Sequence, residues 1–370
     1  MSRAYRHTDP YAAARGAVRY IYKQAVRRKL MKKFISGAAL LAVAFSAAGV
    51  FAQEDKGIYG NDDRQDYFQV SEARRKLADS TVSFFKAADV SQDGLLTLEN
   101  FGEKVQLCKK EPFREQTIGA FCSGSLVAPD LVMTAGHCVK TSLDCADTKM
   151  VFGYAIKEQG KNPSRVDASE VYSCKGIVAR DQDDHGADYA IIKLDRPVPN
   201  HEPLAVNRTG GVSEGTRLFV IGHPVGLPVK IAGGATVRNV FNYAGYFNAN
   251  LDTYGGNSGS AVFNEETGVI EGILVRGGTD FEVKDPLFGA KCRISVKVSD
   301  AGGRGEDVTS VSNVLKYIPL PGQESPAVEI PVNPNLTSML GNCKKPGDGA
   351  SITELMAYVD CLTAQLNTNP

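Results

Sequence analysis

Histidine is scarce in this chain of 370 residues: there are five. Acid–base chemistry near neutral pH through imidazole therefore has few candidates, and each can be weighed singly. The eight cysteines include no pair at C-x-x-C spacing, and most have no histidine nearby, which argues against zinc. No segment repeats at a fixed period, so repeat arrays are excluded. The longest apolar run, 34–51, is broken by Ser36, Gly37, Ser46 and Gly49.

A basic surplus is also missing where a nucleic-acid binder would carry one. The formal net charge of zero conceals an asymmetry. Residues 1–52 hold ten Lys/Arg and one acid, a net of +9, so residues 53–370 carry −9. The acidic remainder argues against nucleic acid as a partner. The basic part reads as a targeting segment. From Met31 come two lysines, the apolar run, and then Val50-Phe51-Ala52 before Gln53, the pattern of a cleaved secretory signal. A membrane-spanning helix is the competing reading. Residues 1–30 are read as an upstream start misassigned ahead of Met31, or as an extended leader in which Arg27-Arg28 serves twin-arginine export. The expectation is a secreted or periplasmic bacterial protein, monomeric, with no stable membrane anchor once the signal is cleaved.

What remains is rich in turn formers. Thirty-seven glycines and seventeen prolines, with 43% apolar residues, favour a turn-rich β fold with a packed core over a helical bundle. All eight cysteines lie after the signal, and an even number in an exported chain suggests up to four disulfides.

Beyond the signal peptide at 31–52 the chain divides into three regions. Residues 53–116 are polar and read as a pro-region or N-terminal extension. Ala73, Leu77, Val82 and Phe85 predict a helix over 71–86. Within the same region, 89–100 resembles a calcium loop through Asp89, Ser91, Asp93, Gly94 and Leu96. The closing position, however, is Asn100 rather than a bidentate acid, and a polar turn is the other reading. Residues 117–318 alternate short apolar runs with Gly, Pro, Asn and Asp clusters. Ser125–Ala128, Leu131–Thr134, Tyr189–Leu194, Leu218–Ile221, Ala261–Phe263 and Val269–Val275 predict strands. They fall into two groups about Asn200. Residues 319–370 form a proline-broken tail ending in a predicted helix, 352–366.

The strongest chemical signal is Gly255-Gly256-Asn257-Ser258-Gly259-Ser260. A serine hydroxyl becomes a useful nucleophile only when a base removes its proton. The oxyanion that attack creates needs backbone donors, here the amides of Gly256 and Ser258. Thr134-Ala135-Gly136-His137-Cys138 places a histidine at a strand end beside a cysteine. Cys122, sixteen residues earlier across a predicted hairpin, is that cysteine's natural disulfide partner. His185, His201 and His223 have no comparable setting. Asp188, ahead of the Tyr189–Leu194 run, can be buried at a strand start and accept the imidazole Nδ1–H. Asp183, Asp184 and Asp195 are the competing acids.

The order His, Asp, Ser and all three motifs resemble the trypsin/chymotrypsin superfamily over about residues 117–318. The closest resemblance is to bacterial trypsin-like peptidases related to glutamyl endopeptidases. The resemblance implies an all-β fold of two antiparallel barrels with His137, Asp188 and Ser258 in the cleft between them. It implies oxyanion donors at Gly256 and Ser258, the histidine-loop disulfide Cys122–Cys138, and peptide hydrolysis through an acyl-enzyme on Ser258. Neither a cofactor nor a metal is needed, and the partners are protein or peptide substrates. Asn257 stands where animal relatives carry an Asp, so their activation salt bridge is unavailable.

By the same resemblance Asp252, six residues before the nucleophile, forms the floor of the specificity pocket and favours Arg or Lys. Thr253, Arg276 and Gly277 are further substrate-binding candidates. Leu274 replaces the glutamyl endopeptidases' pocket histidine. Among the other cysteines, Cys145–Cys174 and Cys343–Cys361 are expected to pair locally, which leaves Cys108–Cys292. Two alternatives are a catalytically silent binding protein on the same scaffold and an envelope quality-control protease.

Overall fold

The structure is a computed structural model. It describes residues 57–285 and 290–328, with Tyr358 and Cys361 besides. The leader at 1–52, Cys343 and most of the expected 352–366 helix lie outside the described residues. No described helix is long and apolar enough to cross a membrane.

Two six-stranded antiparallel β-barrels make up the fold. The first closes through Thr81–Lys86, Cys122–Ala128, Leu131–Thr134, Thr148–Val151, Val171–Gln182 and Asp188–Leu194. The second comprises Arg217–Gly222, Lys230–Phe241, Tyr246–Ala249, Ala261–Asn264, Ile270–Arg276 and Glu306–Ser310, and closes where Arg217–Gly222 pairs with Lys230–Phe241. All six apolar runs singled out in the sequence are strands. The all-β, two-barrel expectation holds.

The second barrel shows why its strands read as unbroken apolar runs. Successive side chains of a strand point to opposite faces. Leu218 and Val220 face the barrel's own core with Phe247, Leu251, Val262 and Leu274. Phe219 and Ile221, with Ala261, Phe263, Ile273 and Val275, join the core that includes the first barrel's Leu126, Val132 and Ile191. Both faces are dry, so no polar alternation is left to see.

Residues 53–116, set apart in the sequence as an extension, contribute to both barrels. The helix expected over 71–86 is instead a helix at Glu72–Asp79 followed by the strand Thr81–Lys86. Ser71 caps the helix by accepting from the N–H of Arg74. Thr81, Val82, Phe84 and Phe85 are β-branched or aromatic, and they suit a strand buried on both faces. That strand lies between Cys122–Ala128 and Thr148–Val151. Arg64–Asp66 adds an edge strand to Lys230–Phe241 of the second barrel. A domain drawn from 117 alone therefore lacks one strand of its first barrel.

Three disulfides join described cysteines: Cys122–Cys138, Cys145–Cys174 and Cys108–Cys292. The last ties the extension to the Phe281–Lys284/Cys292–Ser295 hairpin. Cys361 is also disulfide-bonded.

Candidate active site

The histidine and the acid are brought together by strand register. Ala190 sits opposite Thr134, so two residues further along Asp188 comes level with Gly136. One Asp188 oxygen lies 2.7 Å from His137 Nδ1, and the other accepts the His137 backbone N–H at 3.1 Å. Asp188 is 3% exposed, whereas the imidazole is 28% exposed. The acid is therefore shielded from water while the ring reaches the surface. A carboxylate only accepts, so in the neutral ring Nδ1 carries the proton and Nε2 keeps its lone pair. Thr309 of the second barrel donates to the Asp188 carbonyl and accepts its N–H, pinning the acid across the interface.

Gly136 has a steric reason. A Cβ there would strike the Asp181 carbonyl oxygen and come within 2.9 Å of the Asp188 carboxylate. The competing acids lie elsewhere. Asp183 accepts from the N–H of His185 in an exposed turn, Asp184 is exposed, and Asp195 pairs with Arg196. His185 is exposed, and the two remaining described histidines are structural. His201 stacks on Phe152 and contacts Glu170. His223 is buried with Nδ1 on the Leu227 carbonyl, and burial pulls it down to about 3.

Ser258 sits on a turn held at both ends. Gly256 and Gly259 have φ of +86° and +89°, a region that disfavours side chains. A Cβ on Gly259 would collide with the Ser123 carbonyl and Thr134 Oγ1, so glycine lets this loop press against the histidine strand. The Ser258 carbonyl accepts from Ser123 N–H at 2.9 Å and lies 3.6 Å from Cys138 Sγ. The serine thus packs against the disulfide-bonded residue next to His137. Asn257, buried at 3%, accepts from Ser260 through both its carbonyl and its side chain.

The peptide between Gly255 and Gly256 has a defined orientation. Its carbonyl accepts from Val225 N–H at 2.5 Å. No described peptide bond is cis, and in a trans peptide C=O and N–H point oppositely. The Gly256 N–H therefore points away from the 223–226 turn. Asp280 holds the other end of Gly255, accepting its N–H at 2.8 Å. Val225 has φ +47°, unusual for a β-branched residue.

A family profile described as a trypsin-like peptidase domain matches residues 122–273. Residues 122–273 are thus similar to trypsin-like peptidase domains. The venom plasminogen activator Haly-PA of Gloydius brevicauda is 33% identical over 88 residues, 24% of this chain and 31% of that protein. The match thus spans under a third of the relative's length. Among solved structures, a Glu endopeptidase in complex with MPD is similar at 18% identity over 70% of this chain and 95% of its own, with TM-score 0.42. The VesB protease of Vibrio cholerae shows 14% identity over 70% of this chain and 66% of its own, with TM-score 0.42. A serine endoprotease from Yersinia pestis shows 14% identity over 68% and 65%, with TM-score 0.39.

The residues expected to bind substrate fall into two groups. Asp252, expected at a pocket floor, is instead the anchor of the N-terminal segment. It is 4% exposed, and its two oxygens accept the N–H groups of Tyr59 and Asp63 at 2.7 and 2.8 Å. Burial, helped by Asp62, pushes its carboxyl up to about 7 against the opposing N–H groups and Arg64. Arg276 is a brace between barrels. It reaches Asp307 at 3.2 Å and the carbonyls of Asp183 and Gly186 at 2.9 and 2.7 Å, in the loop leading to Asp188.

Thr253 and Gly277 meet around an acid that the sequence did not bring forward. Thr253 Oγ1 donates to Glu306 at 2.9 Å, and a Cβ on Gly277 would collide with the Glu306 carboxylate. Glu306 is 1% exposed. No signal marks it, because Gly305-Glu306-Asp307 reads as a polar turn. Ser123, Val225, Asp280 and Thr309 carry no signal for a similar reason: each acts through hydrogen bonds to residues distant in the sequence.

Two possible ion sites carry their own partners. In the calcium-like loop, Asp93 is bound to Ser91 and Arg165, and Asn100 caps the Phe101–Lys104 helix. That is the polar-turn reading. Cys122, His137 and Cys138 cluster closely, but both sulfurs are in the disulfide and neither is a thiolate.

Proposed function

We propose that the protein is an exported, monomeric serine endopeptidase that cleaves protein or peptide substrates after Arg or Lys. Ser258 attacks the scissile carbonyl. His137 takes its proton through Nε2 and returns it to the leaving amine. Asp188 holds the tautomer and stabilises the imidazolium. The Gly256 and Ser258 amides receive the oxyanion. Water then releases the acyl-enzyme by the same steps reversed. The observation that carries this reading is the 2.7 Å contact of buried Asp188 with a half-buried His137, next to the disulfide-bonded Cys138 that Ser258 packs against.

Basic specificity is supported by Glu306 rather than Asp252. Asp252 is turned to the backbone of the N-terminal segment. Glu306 is buried beside Thr253 and Gly277, two residues expected to bind substrate. A buried acid beside a narrow wall favours a long cationic side chain, because opposite charge offsets desolvation. Gly277 and Gly278 suit a wall along which an extended peptide can add as a strand.

Labelling with a serine-directed phosphonate tests the mechanism. The mature protein is expected to take up one label, and Ser258→Ala none, with its barrels intact. Equal labelling or equal cleavage by the variant would refute the assignment. An unlabelled parent would favour a catalytically silent binding protein.

A further inference from the structure

Every polar group of Ser123 is committed, and three of its four contacts lead toward the oxyanion site. Ser123 is fully buried, next to disulfide-bonded Cys122. Its N–H donates to the Ser258 carbonyl at 2.9 Å, and its own carbonyl accepts from Thr134 Oγ1 at 2.7 Å. Its Oγ lies 2.8 Å from the Gly256 carbonyl and 2.9 Å from the His223 N–H. Chemistry decides the proton's place: a carbonyl only accepts and an N–H only donates. The hydroxyl therefore donates to Gly256 and accepts from His223. One residue grips the carbonyls of Gly256 and Ser258, the two residues whose amides are the proposed oxyanion donors.

The His223–Gly226 turn completes the grip. Val225 N–H holds the Gly255 carbonyl, and His223 N–H orients the Ser123 hydroxyl. Both carbonyls flanking the Gly256 amide are thus fixed, one by Val225 directly and one by His223 through Ser123. Gly256 has φ +86° and no side chain to limit its rotation. Such a peptide needs outside restraint, because a donor aids catalysis only when it is aimed before charge develops.

We propose that Ser123 is a positioning residue of the oxyanion hole, holding the Gly256 amide toward the developing oxyanion. This rests on the serine-peptidase reading and adds a residue that touches no substrate. A purely structural role would lower thermal stability and leave the ratio of kcat to KM effects arbitrary. A positioning role acts on the transition state and so lowers kcat with KM held.

The experiment compares Ser123→Ala, Ser123→Thr and Ser123→Val in the mature protein, scoring kcat, KM and affinity for a peptide boronate, which forms a tetrahedral adduct. Ser123→Ala is expected to lose about tenfold or more in kcat, short of the full loss of a donor, with KM within about twofold. Boronate affinity should fall by a similar factor. Thr and Val are nearly the same shape, so their comparison isolates the hydroxyl if Ala disturbs folding. Thr should restore kcat, and Val should stay about tenfold below Thr. A parent that cleaves and labels, beside Ala and Val variants that keep the parent's kcat, overturns the positioning role alone. A parent that neither cleaves nor labels overturns both readings.

Discussion

Asp188 binds His137 twice, once at the ring Nδ1 and once at the backbone N–H, so a single carboxylate fixes both the position and the tautomer of the imidazole. Asp188→Asn separates these two roles. The amide keeps the shape but presents a donor where Nδ1–H needs an acceptor, favouring the tautomer with the proton on Nε2. That tautomer has no lone pair for the serine proton. The expected loss in kcat on a peptide amide substrate is on the order of 10⁴-fold, with the melting temperature little changed. A variant within about tenfold of the parent would show that Asp188 is not the orienting acid.

The specificity assignment sets Glu306, which the sequence did not bring forward, against Asp252, which the resemblance placed at the pocket floor. Glu306→Gln removes a buried acid beside Thr253 and Gly277 while keeping the hydrogen-bond acceptor for Thr253. Preference for an Arg substrate over a Leu substrate, measured as a ratio of kcat/KM, should fall on the order of 10²-fold. Asp252→Asn should leave that ratio unchanged. If Asp252→Asn abolishes the preference and Glu306→Gln does not, the pocket charge is Asp252.

The three motifs of the candidate site stand out in the sequence because each couples an unusual residue to a local pattern: Gly256 and Gly259 around Ser258, Cys138 beside His137, an apolar strand after Asp188. The two barrels were legible because strands such as Leu218–Ile221 and Leu131–Thr134 are buried on both faces and appear as short apolar runs. Thr81–Lys86 was hidden by its neighbour. Ala73 and Leu77 belong to a helix, and Val82 and Phe85 happen to continue its spacing although the chain has already turned into a strand. Glu306 and Ser123 were hidden for another reason. Their meaning lies in contacts with residues more than 50 positions away, Thr253 for one and Gly256 for the other. The resemblance points to Asp252 as a pocket floor, but its contacts come from Tyr59 and Asp63, outside the residues 122–273 that the family profile matches.

Asp252 also makes stability depend on pH. Its folded pKa of about 7 lies above the ordinary 3.8, so between these values the native state binds more protons than the unfolded chain. Its contribution is therefore complete below about 3.8 and is lost as pH rises through 7. Asp252→Asn cannot titrate. The stability of the parent minus that of the variant, measured by urea denaturation, should fall steadily from about pH 4 to about pH 7.5. A difference that is flat or rises over this range would contradict the burial of an acid held between the N–H groups of Tyr59 and Asp63.

The extension is expected to be part of the folded enzyme rather than a removable pro-region. Thr81–Lys86 pairs on both sides within the first barrel, and Phe84 and Phe85 are fully buried there. Removing the strand would open a closed barrel, expose two edges and uncover a large apolar surface. The Cys108–Cys292 disulfide gives no protection against a cut upstream of Cys108, since it retains only the segment downstream of that cut. A chain beginning at Gly57 should therefore fold, label with phosphonate and cleave, while a chain beginning at Thr117 should aggregate and remain unlabelled. Adding a peptide of residues 57–116 during refolding should recover part of the labelling, because the missing strand has its place between Cys122–Ala128 and Thr148–Val151. Full activity of the chain from Thr117 would show that the first barrel closes without that strand, and the extension would then be a dispensable appendage.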